Sequence, residues 1–162
     1  MGIKFNANEV LQMAVTIEEN GAAFYRKAAE SKKDDASTAF LTSLAEMEDG
    51  HAETFKALRS ELTEDEKGET AYDPMNEAVL YLEAMADSHG GEGDPPAAEK
   101  LTGNETLADI LTIAIGLEKE SILFYLGLKE MVPEHMGQAR LDDIVKEERS
   151  HIVTLTKELK AL

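Results

Sequence analysis

Two short segments, Glu48-x-x-His51 and Glu148-x-x-His151, set a carboxylate and an imidazole three residues apart. Positions i and i+3 of a helix share one face, so an oxygen and a nitrogen of each pair can reach a single cation. Both pairs interrupt apolar seams. Leu41, Leu44, Glu48, His51, Phe55, Leu58 and Leu62 follow one another at alternating steps of three and four, the spacing of a buried helix face. Leu141, Ile144, Glu148, His151 and Leu155 repeat the pattern, which then slips to Leu159 and Leu162 because Glu158 holds the next apolar place. Two further seams carry one carboxylate each: Leu11, Ala14, Glu18, Gly21, Tyr25, Ala28, and Leu111, Ala114, Glu118, Ser121, Tyr125, Leu128. Unpaired buried charge is expensive, and like charges add repulsion. Either some of these acids protonate or cations lie between them. The seams hold no Lys or Arg, which speaks against a metal-free ion-pair lattice. Four carboxylates and two imidazoles match two divalent ions in charge, so the spacing predicts a two-metal site built from Glu18, Glu48, His51, Glu118, Glu148 and His151. Such ligands suit iron, manganese or zinc, and the spacing does not choose among them.

Four long helices must position these residues. Asn6 with Glu9 resembles a capping box and opens a helical pattern to about residue 31, followed by a polar break at Lys32-Lys33-Asp34-Asp35. A second pattern covers about 37–62. A third starts at Thr106, with Asp109 as a weaker capping partner, and runs to about 131, where Val132-Pro133 breaks it. The fourth runs from about 136 to near the end. Each is roughly 25 residues, or about 37 Å. Between the second and third lie residues 63–105, far more than a helical hairpin needs. That crossover contains one short helix candidate, about 75–87 after Asp73-Pro74, and a Gly/Pro-rich loop at 89–96. The expected fold is all-α: a four-helix bundle in a single domain, 1–162, made of two antiparallel hairpins, 6–62 and 106–162, joined by the long crossover.

The hairpins match each other at an offset of 100 residues without a gap. Leu11, Ala14, Glu18, Phe24, Tyr25 and Glu30 fall on Leu111, Ala114, Glu118, Phe124, Tyr125 and Glu130; Leu41, Glu48, His51, Thr54 and Leu62 fall on Leu141, Glu148, His151, Thr154 and Leu162. An internal repeat predicts hairpins related by an approximate two-fold axis, with paired ligands at that axis.

Composition narrows the function. Sixteen Lys and Arg against 33 Asp and Glu leave a formal charge of −17. Such acidity opposes binding to nucleic acid or to an anionic membrane surface and suits cationic ligands. The absence of cysteine excludes disulfides, thiolate catalysis, iron–sulfur clusters and a rubredoxin-type iron site within the chain. No apolar stretch is long enough to span a membrane, and no signal-peptide core follows Lys4. A cytoplasmic location is expected.

Around the candidate ligands, Ile17-Glu18-Glu19-Asn20-Gly21-Ala22-Ala23-Phe24-Tyr25 and Leu44-Ala45-Glu46-Met47-Glu48-Asp49-Gly50-His51 resemble the first helix pair of rubrerythrin-like proteins. Leu117-Glu118-Lys119-Glu120-Ser121-Ile122-Leu123-Phe124-Tyr125 and Val145-Lys146-Glu147-Glu148-Arg149-Ser150-His151 resemble the second. The likeness covers nearly the whole chain, and the six-ligand set is that of di-iron and di-manganese carboxylate bundles. It implies a ferritin-like four-helix bundle holding two iron ions, with manganese, zinc or a mixed pair as alternatives. Glu18, Glu48, His51, Glu118, Glu148 and His151 match the family's metal-binding positions one by one. The resemblance also implies a homodimer. Two departures stand out. Rubrerythrins proper carry an additional carboxylate, which takes part in redox-linked ligand movement, where this chain has Ser121. The rubredoxin-like domain is missing, so any reductive cycle needs an external electron donor.

Other residues gain roles by position. Tyr25 and Tyr125 follow Glu18 and Glu118 by seven residues on the same face, where a phenol could hold a ligating carboxylate in orientation. His89 and His135 fall in or near loops and read as solvated. Glu19, Glu46, Glu120 and Glu147 lie off the seams and read as surface residues, and most methionines read as core filler. Ile115, Ile122 and Leu126 make a second apolar stripe on the third helix, to be covered by the crossover, by a dimer partner, or by both. The expected activity is di-iron redox chemistry on oxygen or peroxide with a protective role. Ferroxidation linked to iron storage, a non-catalytic metal-binding or sensing protein, and a substrate oxygenase are the alternatives.

Overall fold

The computed structural model describes residues 7–68, 77, 80–81, 84–85, 96–131 and 138–162. Four long helices dominate: α1 (Ala7–Glu30), α2 (Asp35–Ser60), α5 (Leu107–Met131) and α6 (Gln138–Ala161). Two short ones, α3 (Glu64–Gly68) and α4 (Ala97–Lys100), belong to the crossover and had no counterpart in the sequence reading. Among the described residues there is no strand.

Local chemistry sets the helix starts. Asp34, in extended conformation, accepts a hydrogen bond from Ser37 N at 2.7 Å and caps α2. The helix therefore begins two residues before the expected start at 37, inside what reads as a polar break. Before α5 the capping box is complete: Asp109 N donates to Thr106 Oγ1 at 3.1 Å, and Thr106 N donates to Asp109 Oδ2 at 3.0 Å. Asp109 is thus a full partner. The turn leading into it is held by Glu105, whose carboxylate accepts from Thr102 N, Thr102 Oγ1 and Gly103 N; Gly103 adopts a positive φ of 87°, which an L side chain resists. The proposed cap at Asn6 lies outside the described residues. So does most of the short helix expected at 75–87, although Glu77, Leu80, Tyr81, Ala84 and Met85 are helical.

α1 packs chiefly on α2, and α5 on α6. The interior forms two apolar cores, each drawing on all four long helices. One gathers Val10, Leu11 and Ala14 of α1 with Phe55 and Leu58 of α2, Phe124 and Leu128 of α5, and Leu141 and Ile144 of α6. The other gathers Phe24 and Ala28 of α1 with Leu41 and Leu44 of α2, Ile110, Leu111 and Ala114 of α5, and Leu155 of α6. Along every long helix, the polar seam residues fall between the two cores. Lys27 Nζ donates to Ala98 O at 2.7 Å and fastens α4 to the bundle. Of the second stripe on α5, Ile115 and Ile122 are half-buried and Leu126 is exposed; Tyr81 of the crossover reaches this helix through a 2.5 Å hydrogen bond from its hydroxyl to Leu123 O. No described helix is long and apolar enough to cross a membrane.

Candidate metal centre

Between the two cores, α1 supplies Glu18, α2 Glu48 and His51, α5 Glu118, and α6 Glu148 and His151. The structure brings all six together, each 4% exposed or less. They form two overlapping groups, Glu18–Glu48–His51–Glu148 and Glu48–Glu118–Glu148–His151. Within each group one ligand-type atom per residue lies within 4.8 Å of every other. Glu48 and Glu148 belong to both.

Each imidazole turns Nδ1 inward. His51 Nδ1 lies 2.8 Å from Glu148 Oε1, 3.4 Å from Glu18 Oε2 and 3.8 Å from Glu48 Oε2. His151 Nδ1 lies 3.3 Å from Glu48 Oε1, 3.4 Å from Glu148 Oε2 and 3.6 Å from Glu118 Oε1. The two rings stack at 5.7 Å between centroids, 19° apart. Despite these approaches, His51 Nδ1, His151 Nδ1, Glu18 Oε2, Glu48 Oε1 and both oxygens of Glu148 have no directed hydrogen bond. Buried polar atoms are almost always partnered. Oxygen and nitrogen atoms without directed hydrogen bonds, converging in one layer, are what cations require and what a hydrogen-bond network would not leave.

The charges are strongly coupled. Burial pushes Glu18 well above the usual carboxylate range; the nearby His51 offsets only part of this, and repulsion from Glu148 adds to it. Glu118 is likewise raised, first by burial and then by Glu148. Glu48 and Glu148 go the other way: burial would raise them, but the imidazoles outweigh it for Glu48, and Glu118 with both imidazoles does so for Glu148. Burial should lower the histidines, yet the facing carboxylates hold His51 far above its usual range and His151 at about 12. The imidazoles are thus held toward their charged form and Glu18 and Glu118 toward their neutral form, both directions that reduce the negative charge of the layer.

Tyr25 and Tyr125 extend the polar layer. Tyr25 belongs to one apolar core and Tyr125 to the other, so their hydroxyls enter from opposite ends. Tyr25 Oη donates to Glu118 Oε1 at 2.5 Å, and Tyr125 Oη donates to Glu18 Oε1. Each tyrosine thus holds the acid of the opposite hairpin. Burial, followed by the adjacent carboxylate, raises both phenols well above their usual range and keeps them as donors.

Two contacts escaped sequence reasoning. Glu147, read as a surface residue, is exposed, yet its Oε2 lies 2.7 Å from His51 Nε2. Met47 is not core filler: it is 45% exposed, and its Sδ lies 3.1 Å from His151 Nε2. The signal available was their placement, one residue before each ligand-type Glu and 100 residues apart. Glu19 and Glu46 are at the surface as expected, whereas Glu120 is half-buried. His89 and His135 lie outside the described residues. A cavity of about 20 Å³, enough for a water-sized molecule, abuts Glu48, Glu118 and Tyr25 and is bordered by Gly21 and Ser121.

A family model described as Rubrerythrin matches residues 9–159. Among solved structures, a Thermotoga maritima protein designated a ferritin-like diiron-carboxylate protein aligns with a TM-score of 0.76 and 25% sequence identity, covering 99% of this chain and 98% of its own. The comparison with curated proteins found no match.

Proposed function

The chain belongs to the rubrerythrin family, and from that premise we propose that it is a di-iron oxidoreductase acting on peroxide or dioxygen, in oxidative-stress protection or iron handling. The observation that carries this reading is the pair of overlapping carboxylate–imidazole groups whose inward atoms lack hydrogen bonds. In the proposed holoprotein, Glu18, Glu48, His51 and Glu148 hold one ion and Glu48, Glu118, Glu148 and His151 the other. Iron supplies one electron from each Fe(II), the two needed to reduce a peroxide. The designation of the Thermotoga protein as diiron supports iron over manganese or zinc.

The chain's own residues have distinct tasks. Tyr125 and Tyr25 donate to Glu18 and Glu118 and fix which carboxylate oxygen remains free to ligate. The apolar cores keep bulk water from the centre, which strengthens every charge interaction there. The cavity between Gly21 and Ser121 abuts Glu48 and Glu118 and has room for a water-sized molecule beside them, which suits a small oxidant. Because the sequence has no cysteine, a thiolate-held iron site within it could not supply the electrons that would restore Fe(II).

The test is elemental analysis, then anaerobic Fe(II) loading and separate challenge with hydrogen peroxide and dioxygen. Two irons per chain and faster optical change with peroxide are expected. Faster oxidation by dioxygen would shift the assignment to ferroxidation. Two bound ions with no response to either oxidant would overturn the catalytic reading, and no metal uptake would overturn the site.

A further inference from the structure

The two metal groups have the same composition, two shared glutamates with one further Glu and one His each, yet the outer nitrogens of their histidines meet different partners. His51 Nε2 faces Glu147 Oε2 at 2.7 Å, while His151 Nε2 faces Met47 Sδ at 3.1 Å. Positions 47 and 147 correspond at the 100-residue offset, so the contact is conserved in place and changed in chemistry. When Nδ1 ligates an ion as assigned above, Nε2 carries the ring proton and donates outward. A carboxylate accepts that proton in a strong, charge-assisted hydrogen bond that fixes the ring and makes its inner nitrogen a better donor; a thioether is a weak, neutral acceptor.

We propose that Glu147 is a positioning residue that makes the two metal positions unequal, so that the position served by Glu18 and His51 binds its ion more tightly and fills first. This rests on the metal-ligand assignment above and adds an order to it. The inequality comes from outside the ligand set, at a residue open to solvent: the Glu147 side chain is 60% exposed, so replacing it leaves the bundle intact.

Stepwise titration of the metal-free protein with Co(II) tests this, read by visible absorption and by proton NMR of the paramagnetically shifted ring N–H signals. Wild type is expected to bind two ions in separate steps, with two distinct ring N–H resonances. Glu147→Met should weaken the first step about 10- to 100-fold, the usual loss for such a partner, and move only the His51 resonance. Glu147→Gln, which keeps an acceptor without the charge, should fall between. Met47→Glu should strengthen the second step and move only the His151 resonance. If two ions bind but both steps and both resonances are unchanged in Glu147→Met and Met47→Glu, this inference is overturned while the ligand assignment stands. If wild type binds no Co(II), the ligand assignment itself fails, and the inference with it.

Discussion

Removing the Tyr125 hydroxyl is the most direct probe of how the polar layer is held. Tyr125 is fully buried, packs at a tilt against Phe55 at 5.1 Å between ring centroids, and donates to Glu18 Oε1. Glu18 Oε2 already lacks a hydrogen bond, so Tyr125→Phe keeps the ring packing while removing the bond that Tyr125 gives Glu18. In the metal-free protein Glu18 is held toward its protonated form, so the loss is that of a neutral buried hydrogen bond, about 1 kcal/mol of unfolding free energy. In the metal-loaded protein Glu18 must be a carboxylate, and bonds to charged groups are worth about 1.5–3 kcal/mol. The corresponding loss of metal affinity is about 10- to 100-fold, or about 1.4–2.7 kcal/mol. Urea unfolding of the metal-free variant, with an unchanged slope as the control for packing, gives the first quantity. Competition titration with Zn(II) gives the second. The metal effect should exceed the folding effect, and Tyr25→Phe should act equivalently through Glu118. A Tyr125→Phe protein that loses folding stability but binds Zn(II) as tightly as wild type would refute the reasoning, because the hydroxyl would then serve packing alone.

Replacing both shared acids, Glu48→Ala with Glu148→Ala, leaves two ligands for each ion and should reduce bound metal from two per chain to none by elemental analysis; retention of two would defeat the assignment. Gly21→Ala should fold normally, since the added Cβ would meet Glu48 Cγ at an ordinary 3.5 Å, and should gain about 0.5–1 kcal/mol from helix propensity. It should also slow oxidation of the Fe(II) form in stopped flow, by narrowing the cavity. Phe55→Ala, at a fully buried site, should cost about 3–5 kcal/mol in chemical denaturation. Glu105 should titrate at about 2 by NMR because three donors from the Thr102–Gly103 turn hold its charged form. A depressed carboxylate stabilises the fold above its ordinary pKa of about 4.5, and that contribution is lost as pH falls through about 2.

The residues that interrupt the seams were legible because burial and helical period act together: Glu48 and His51 could sit between Leu44 and Phe55 only on an inward face. The helix hairpins followed from the same period and from the length of the crossover. The start of α2 was less legible, because Asp34 reads equally as part of a polar break or as a cap, and only its extended backbone and bond to Ser37 decide. The contacts of Glu147 and Met47 were not legible. Each depends on how far α2 and α6 are rotated and shifted against one another, which period within a helix does not encode. The partners of Tyr25 and Tyr125 were half legible: a carboxylate in the layer was expected, but that each phenol crosses to the other hairpin is a property of packing.

Because each apolar core takes side chains from all four long helices, neither hairpin encloses a core of its own. The contacts within α1–α2 and within α5–α6 are close in sequence and can form early, whereas both cores close only after the chain through residues 61–106 brings the hairpins together, at the entropic cost of a long loop. The two acids of one hairpin therefore meet the two of the other only when the hairpins dock, and the repulsion between the pairs opposes that stage. Cations present during folding should accelerate hairpin docking and leave hairpin formation unchanged, a separation that pulsed hydrogen exchange of α1 and α2 amides would resolve.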